Sequence, residues 1–408
     1  MTKTGKEVKL RNIVRKSNVD FYNTRPVVSW DFDEMRLKWV FFIVITAFLA
    51  APTNSILIAA STTEIEQVRD KTVLNEHDKE VIDAFLAQAI GNFLTTKDFT
   101  SIAKLRVIIL NNQKSNQPNQ NQYANQFSES AHKYISEGFK QAQILRPPER
   151  QTRVIMNFLI LIDNLHDLNL LDLAMQKLHD ENMAIRYWAV HAVTNVNILK
   201  QLNSGDATNQ KLARNIVEQL KQIVDSSSPE ILNLIAQFAA GLNIPQAEEL
   251  LMQIADLRIQ KYADWSVKYE RLDITILKLL DSKITMPSRS PIGTTTSSGN
   301  PAAARRFAQL YSYAIERYIK GVNLDNSQRQ QLTSLLAEIE EKCITKLLDD
   351  PQQNGIRRAL AAKDMNALEA ERKRLLGEVL PAKLGFDYGT NSDGSRRTTP
   401  LPLPDQPS

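Results

Sequence analysis

Apolar residues recur along most of this chain with the spacing of amphipathic α-helices. In residues 78–94 the apolar positions run from Val81 to Leu94 at i, i+1, i+4 and i+5, which places them on one helix face. Similar segments follow at 98–110 and 128–143, and helices then alternate with short polar turns to about residue 283. Because β-rich signatures are hard to find, the pattern predicts an all-α protein.

Two helix starts are marked by their residue types. Ser228-Pro229-Glu230 combines an N-cap, a proline at the first helical position and an acidic residue in the first turn. Asn300-Pro301 opens a further helix in the same way. Both signals predict the start of a helix from residue types alone, independently of the hydrophobic pattern.

The most apolar run, residues 35–61, differs from the rest because it carries no charge for 25 positions after Lys38. Basic residues, the apolar stretch Trp39–Ala51 and the small residues Ala59-Ala60-Ser61 follow one another in the order of a signal peptide. If it is not cleaved, residues 39–60 would form a membrane anchor, with the N-terminus in the cytoplasm. Both interpretations place the body outside the cytoplasm, periplasmic or extracellular. A core helix of a cytosolic domain is the alternative.

Breaks in composition divide the chain into segments. An Asn/Gln-rich tract cannot bury enough apolar surface to become ordered, and Ser/Thr/Pro-rich stretches are typical of linkers. The predicted order is: 1–34, a basic extension or residues upstream of the true start; 35–61, the signal peptide or anchor; 62–110, an N-terminal helical part; 111–127, an Asn/Gln-rich loop; 128–283, helical repeats; 284–303, a linker; 304–380, C-terminal helices; and 381–408, a disordered proline-rich tail.

The segment 178–193, LHDENMAIRYWAVHAV, has the most informative motif. Leu178 and Asp180 end one helix, and Ile185-Arg186 then begins a second one. Asp180 can cap that second helix by accepting hydrogen bonds from its free N–H groups. Small residues at Ala189 and Ala192, three and six positions beyond the arginine, allow the two helices to approach closely.

This motif resembles the second half of a HEAT repeat. A weaker copy lies at 220–242, where Asp225 precedes a turn and a second helix carries Ala236 and Ala239, although an arginine is missing. The separation of 45 to 47 residues is typical of the long end of that family's range. The resemblance implies stacked helical hairpins, an α-solenoid, in which Asp180 and Arg186 would join a ladder between neighbouring repeats.

Such arrays usually bind other proteins along an extended surface, so the expected partner is another protein. The interaction and structural residues predicted from the motif are Asp180, Arg186, Tyr187, Trp188, Ala189, Ala192 and Asp225. Tyr187 and Trp188 could belong to a ligand-binding face or could pack between hairpins.

The charge distribution argues against nucleic-acid binding. Nine Lys/Arg and five Asp/Glu lie in residues 1–38, so the net charge of +4 comes from these 38 residues and the other 370 are neutral. Nucleic-acid binding needs a clustered positive surface.

The one cysteine, Cys343, has no partner for a disulfide or a metal pair and is expected to be a buried apolar residue.

No motif of a known enzyme class is present, and no cofactor or metal site is predicted. The alternative to a binding protein is an enzyme or accessory subunit in which His166, His179 and His191 converge with Asp163 between helices. We expect these groups to be polar residues at helix ends. The sequence therefore favours an exported or membrane-anchored helical scaffold without catalysis, with a cytosolic helical binding module as a further alternative.

Overall fold

The computed structural model describes residues 55–114, 121–285, 300–391 and 393–406, and regular structure in these ranges is helical. The helices are α1 Ser55–Arg69, α2 Glu76–Thr95, α3 Phe99–Gln113, α4 Asn121–Ala142, α5 Pro148–Leu165, α6 Leu171–Met175, α7 Met183–Val193, α8 Val196–Ser204, α9 Ala207–Ile223, α10 Pro229–Gly241, α11 Pro245–Ala263, α12 Arg271–Thr285, α13 Pro301–Lys320, α14 Asn326–Ile339, α15 Thr345–Leu348, α16 Gly355–Ala362, α17 Met365–Arg372 and α18 Leu380–Leu384. Short 3₁₀ turns lie at Leu168–Leu170 and Val224–Ser226, and π-helical turns at Glu340–Ile344 and Lys373–Val379. The one β-type pairing in these ranges is the bridge between Thr390 and Arg396.

The helices of residues 61–406 pack in two layers. In one layer α3 packs on α5, α5 on α7, α7 on α10, α10 on α12 and α12 on α14. In the other, α2 packs on α4, α9 on α11 and α11 on α13. Successive helices such as α2 and α3, α10 and α11, and α12 and α13 join the layers. The prediction of an all-α array of stacked HEAT-like hairpins is therefore confirmed.

The local sequence explains where several helices begin. Ser228 and Asn300 are N-caps, each followed by a proline at the start of the helix, as predicted. Asn75 forms a capping box with Asp78, and Asp325 forms one with Gln328. These side chains satisfy backbone N–H groups that no helix can pair internally.

Glycine allows one close approach between helices. A Cβ atom at Gly138 in α4 would lie 2.5 Å from Ile90 Cγ2 and 2.9 Å from Phe158 Cζ. Around it Phe158 packs against both Phe93 and Phe139, with ring centroids 5.2 and 6.0 Å apart. The absence of a side chain at position 138 therefore lets α2, α4 and α5 meet at one apolar centre.

Helices extend into both ends of the Asn/Gln-rich tract that was predicted to be a loop. Helix α3 continues to Gln113 and α4 already begins at Asn121. Tyr123 is fully buried and its hydroxyl donates to the Asn112 carbonyl at 2.7 Å. The prediction of a loop over 111–127 is wrong at both ends, because the buried aromatic residues Tyr123 and Phe127 supply the apolar contacts that the Asn/Gln residues lack.

The C-terminal prediction is also wrong for most of its length. The tail from residue 381 was expected to be disordered, yet Phe386, Tyr388 and Leu403 are buried. The Tyr388 hydroxyl donates to the Leu376 carbonyl at 2.5 Å, which attaches this region to the preceding π-helical turn. Scattered apolar anchors and side-chain hydrogen bonds therefore order a segment whose composition is typical of a linker.

Several predictions concern residues outside the described ranges. They include the basic extension at 1–34, the signal peptide or anchor up to residue 54, and linker residues 286–299. The chain divides after Ala60, and only residues 55–60 of the first unit are described. Among the described helices, none combines the length and the apolar character that crossing a membrane requires.

Candidate functional site

Helix α13 lies at the centre of the C-terminal part of the array. It packs against α11, α12, α14 and α17, and nearly every residue from Ala303 to Tyr318 is buried. One side of this helix is covered by an extended stretch without helical or strand structure, residues 400–405, which we term the tail segment. Side chains of α13 bind its backbone directly.

Gln309 forms hydrogen bonds with both the carbonyl and the N–H of Leu401. Its Nε2 donates to the Leu401 carbonyl at 3.0 Å, and the Leu401 N–H donates to its Oε1 at 2.8 Å. A side-chain amide offers one donor and one acceptor, the same pair that a neighbouring β-strand would present. Gln309 therefore binds this residue of the tail segment as an added strand would.

Leu403 is bound two residues further along. Its N–H donates to Glu316 Oε2 at 3.0 Å, and its carbonyl accepts from Lys320 Nζ at 2.7 Å. Its side chain is buried, with 2% exposed. The Pro404 carbonyl then accepts from Trp265 Nε1 at 2.9 Å. We term the site formed by Trp265, Gln309, Glu316 and Lys320 the tail groove.

The proline spacing of the tail segment matches this set of partners. Pro400, Pro402 and Pro404 have no backbone N–H, so only Leu401 and Leu403 have one to satisfy between positions 400 and 404. Both of these N–H groups are bonded by the tail groove. Proline also restricts the free chain to extended conformations, which lowers the entropy lost on binding.

Glu316 is a buried charge, and two cations balance it. Arg372 Nη1 lies 3.1 Å from Glu316 Oε1, and Lys320 Nζ lies 2.9 Å from Glu316 Oε2. Burial alone lowers the pKa of Arg372, but its hydrogen bonds to Glu369 and the charge of Glu316 outweigh burial and raise that pKa. Arg372 thus remains a cation, and Glu316 keeps one oxygen oriented toward the tail segment.

The loop between α11 and α12 positions Trp265. Trp265 and Tyr269 have φ angles of 53° and 58°, in the left-handed region. Arg317 of α13 lies 3.3 Å from Glu270 in this loop and stacks over the Trp265 ring at 5.7 Å. These contacts fix the indole at one end of the tail groove.

A buried ion pair supports the base of the same loop. Arg258 Nε donates to Asp273 Oδ1 at 2.6 Å and Arg258 Nη2 to Asp273 Oδ2 at 2.9 Å, a bidentate pair that joins α11 to α12. Burial by itself lowers the pKa of Arg258, and the charge of Asp273 more than compensates for it. The Tyr262 hydroxyl donates to Asp273 Oδ2 at 2.9 Å.

The motif residues at 178–193 lie elsewhere, in the hairpin of α6 and α7. The N-cap of α7 is Asn182, whose Oδ1 accepts from the N–H groups of Ala184 and Ile185 at 3.0 and 3.3 Å. Asp180 instead accepts from the Asn182 N–H at 3.0 Å, so the prediction that Asp180 caps this helix is wrong. Helix α7 begins at Met183, two residues before Ile185, so Asn182 and not Asp180 is the residue next to the helix.

The structure does not show the predicted ladder between neighbouring repeats. Asp180 lies 3.5 Å from Lys177 in its own hairpin, and among the described residues no ion pair joins Asp180 or Arg186 to a neighbouring hairpin. Ala189 and Ala192 are fully buried on α7, which packs against α5 and α10. Asp225 is exposed in the turn before α10.

Tyr187 and Trp188 form a half-buried aromatic cluster with His191. The ring centroids of Tyr187 and Trp188 are 5.6 Å apart at 83°, and His191 lies 5.2 Å from Trp188. His191 Nδ1 also lies 3.0 Å from Asp163 Oδ1, which accepts from Asn195 Nδ2 at 2.7 Å. The cluster fastens α7 to the end of α5.

The three histidines do not form a shared site. His166 ends α5 with a φ of 54°, and its Nε2 lies 3.2 Å from Asn197 Nδ2. His191 pairs with Asp163, whereas His179 is exposed. In the described part of the chain, no group of three or more His, Cys, Asp or Glu side chains is arranged to hold a metal ion.

Sequence reasoning missed the tail groove completely. Two signals were available in the sequence. One is the strict alternation of proline and leucine at 400–404, and the other is the spacing of Gln309, Glu316 and Lys320, which lie seven and four positions apart in a predicted helix. That spacing places three polar side chains on one face of α13. Nothing in the sequence shows that the two segments meet.

Neither the comparison with protein-family models nor the comparison with curated proteins gives a match. Among solved structures, the chain is similar to Kap121p bound to Nup53p, with 13% identity and a TM-score of 0.32, and to Kap121p bound to RanGTP, with 12% identity and a TM-score of 0.34. Each match covers 86% of this chain, which spans only 38% and 36% of the two Kap121p chains. An engineered protein matches with 13% identity and a TM-score of 0.28, over 78% of this chain and 88% of its own. At these scores the likeness carries no functional argument.

Proposed function

We propose that this protein is a helical-repeat scaffold that binds other proteins and has no catalytic role. The observation that supports the proposal is the tail groove, in which one face of α13 and the loop indole bind an extended polypeptide through its backbone. Backbone recognition of an extended chain is a recurrent way in which proteins bind peptide segments of partners.

The hairpin of α6 and α7 is proposed as a second contact area. Met183 at the start of α7 is 58% exposed and Val196 at the start of α8 is 54% exposed, and the half-buried Tyr187–Trp188 pair lies on α7 between them in sequence. Exposed apolar side chains beside aromatic ones are common at protein interfaces. Asp180 in the turn before α7, Arg186 in the first turn of α7 and Asp225 in the turn before α10 would then lie at the edge of such an interface.

We further propose that the body acts outside the cytoplasm, exported or anchored through residues 39–60. The support is the order of basic, apolar and small residues in 35–61. Mass spectrometry of the protein from its native cells tests this. A mature N-terminus near Thr62, or full-length chain in the membrane fraction, is expected, and full-length chain in the cytosolic fraction would contradict it.

The binding function is tested by proximity labelling with the full chain in its native cells. Wild type is compared with a Tyr187→Ala/Trp188→Ala variant and with an unrelated helical protein directed to the same compartment. We expect a small set of proteins enriched over the unrelated bait. An enrichment profile equal to that of the unrelated bait would contradict the scaffold function.

A further inference from the structure

We propose that the tail groove is a recognition site for an extended segment of a partner protein in which proline alternates with apolar residues, and that the chain's own tail segment occupies this site until the partner displaces it. This inference rests on the proposed binding function and names both the ligand class and its regulation. The ligand class follows from the chemistry of the groove.

The groove requires N–H groups only at alternate positions of its ligand. Gln309 and Glu316 bond the N–H groups of Leu401 and Leu403, and the residue on either side of each leucine is a proline. Pro402 and Pro404 are exposed and offer no N–H, so proline at these positions costs the groove no hydrogen bond. A ligand with proline at every second position therefore keeps both N–H bonds to the groove and, because proline restricts the free chain, loses less entropy on binding.

Side-chain selectivity comes from two buried positions. Pro400 and Leu403 are buried, whereas Leu401, Pro402 and Pro404 are exposed, with 43% of Leu401 accessible. The groove therefore selects one proline and one leucine-sized residue three positions apart. The exposed side of the ligand leaves room for further contacts by a partner protein.

The tail segment can leave without disrupting the structure before it. Tyr388 N–H donates to the Arg397 carbonyl at 3.0 Å, and Arg397 N–H donates to the Gly389 carbonyl at 2.7 Å. Arg305 of α13 holds the same turn, with Nη2 3.0 Å from Asp387 Oδ1. This turn is fastened independently of the tail groove, so release requires only the contacts of residues 400–405 to break.

The effective concentration of the tail segment favours a partner over a second copy of this chain. A tethered segment of this kind reaches about millimolar effective concentration. The tail of a second copy makes identical contacts, so at micromolar concentrations it cannot compete with the tethered one. A partner protein can form additional contacts around the exposed side of its bound segment, and these contacts allow it to displace the tail.

The test uses the full chain and a fluorescent peptide of residues 399–406, TPLPLPDQ, followed by polarisation. Leu403→Asp places a charge in the buried leucine position beside Glu316 and releases the tethered tail. Leu401→Asp is the matched control, because the same change at an exposed side chain leaves the tail bound. We expect the Leu403→Asp protein to bind the peptide at least about 10-fold more tightly than wild type or Leu401→Asp, since the tethered competitor is gone.

A second substitution identifies the site of binding. Adding Gln309→Leu to Leu403→Asp removes both hydrogen bonds to Leu401 of the peptide, and we expect binding about 10-fold weaker. If Leu403→Asp keeps the helical content of wild type by circular dichroism and still does not bind the peptide, the groove has no affinity for an added segment and the proposal is overturned.

One further measurement, on wild type, applies even if Leu403→Asp does not fold. By hydrogen exchange, the N–H groups of Leu401 and Leu403 should exchange at least about 100-fold faster than those in the middle of α13, because local release needs less free energy than global unfolding. Equal rates would overturn the proposal. Sedimentation compares the oligomeric states of wild type, Leu401→Asp and Leu403→Asp. If the first two each form a dimer and Leu403→Asp is a monomer, a second copy of this chain is the ligand and the partner assignment is overturned.

The two proposals can fail separately. Specific proximity-labelling partners without peptide binding would leave the scaffold function and remove the role of the groove. Peptide binding by Leu403→Asp without any specific labelled partner would support the groove chemistry and contradict the scaffold function.

Discussion

Gln309 and Leu401 are 92 residues apart in sequence and form a reciprocal pair of hydrogen bonds, side-chain amide to backbone. Gln309 is buried in the middle of α13, and Leu401 belongs to a segment that has no regular structure of its own. The pair therefore determines where the end of the described chain lies on the helical array. Its energetic contribution can be measured directly.

Replacing Gln309 with leucine, which has a similar volume, should lower the free energy of unfolding by about 1–3 kcal/mol, because the Leu401 N–H and carbonyl lose their partners. Gln330→Leu is the matched control, since Gln330 is exposed on α14, and it should change stability by less than about 0.5 kcal/mol. Urea unfolding followed by circular dichroism measures both variants. Equal stabilities would mean that the pair contributes nothing.

The cap of α7 can be assigned by two alanine substitutions. Asn182→Ala removes the acceptor for two N–H groups and should cost about 1 kcal/mol, the usual loss of an N-cap. Asp180→Ala removes the acceptor of one N–H and should cost less. Thermal unfolding ranks the two variants. A larger loss for Asp180→Ala would restore Asp180 as the principal capping residue.

Glycine-to-alanine substitutions in neighbouring helices should act in opposite directions. Gly138→Ala puts a methyl group 2.5 Å from Ile90 Cγ2, and such overpacking should cost about 1–3 kcal/mol. At Gly91 a Cβ atom would meet nothing within 4 Å, so Gly91→Ala should stabilise α2 by about 0.5–1 kcal/mol. Melting temperatures of the two variants check this, and a shift of the same sign in both would contradict the packing described for α4.

His166 should make stability depend on pH. Burial lowers the pKa of its imidazole, the charge of Asp163 opposes this, and Lys114 adds to the lowering. The folded state therefore binds a proton less readily than the unfolded state, in which the pKa is about 6.5. The resulting stability is present above the unfolded-state pKa and is lost as pH falls from there through the lower folded-state pKa.

The measurement is the free energy of unfolding of wild type and His166→Asn from about pH 7.5 to about pH 5.5. Asparagine tolerates the left-handed backbone at this position and does not titrate in that range. We expect wild type to lose more stability than the variant as pH falls. Parallel curves would show that His166 makes no contribution to the pH dependence.

Local signals in the sequence predicted much of the helical array. The spacing from Val81 to Leu94 predicted the buried face of α2, where Ile82, Phe85 and Leu86 are in the core. Ser228 and Asn300 marked the starts of α10 and α13. These predictions succeed because amphipathic spacing and capping act within a few residues of one another.

Predictions that depended on composition were less successful. Asn/Gln richness hid the start of α4, where Tyr123 is buried, and proline richness hid the ordered tail segment. Composition is an average over a whole segment. A segment can still be ordered by a few buried tyrosine or leucine side chains, when the backbone groups beside them have hydrogen-bond partners. The interaction residues predicted at 178–193 and at Asp225 stay a prediction.

The sequence by itself determined that this protein is built of amphipathic helices and where several of them begin, because those properties depend on neighbours one to four residues away. Only the tertiary structure decided that Glu316 is buried beside Arg372 of α17 and that residues 400–405 lie along α13. The physical reason is that these contacts join groups far apart in the chain, and nothing in the local pattern of either segment specifies its partner.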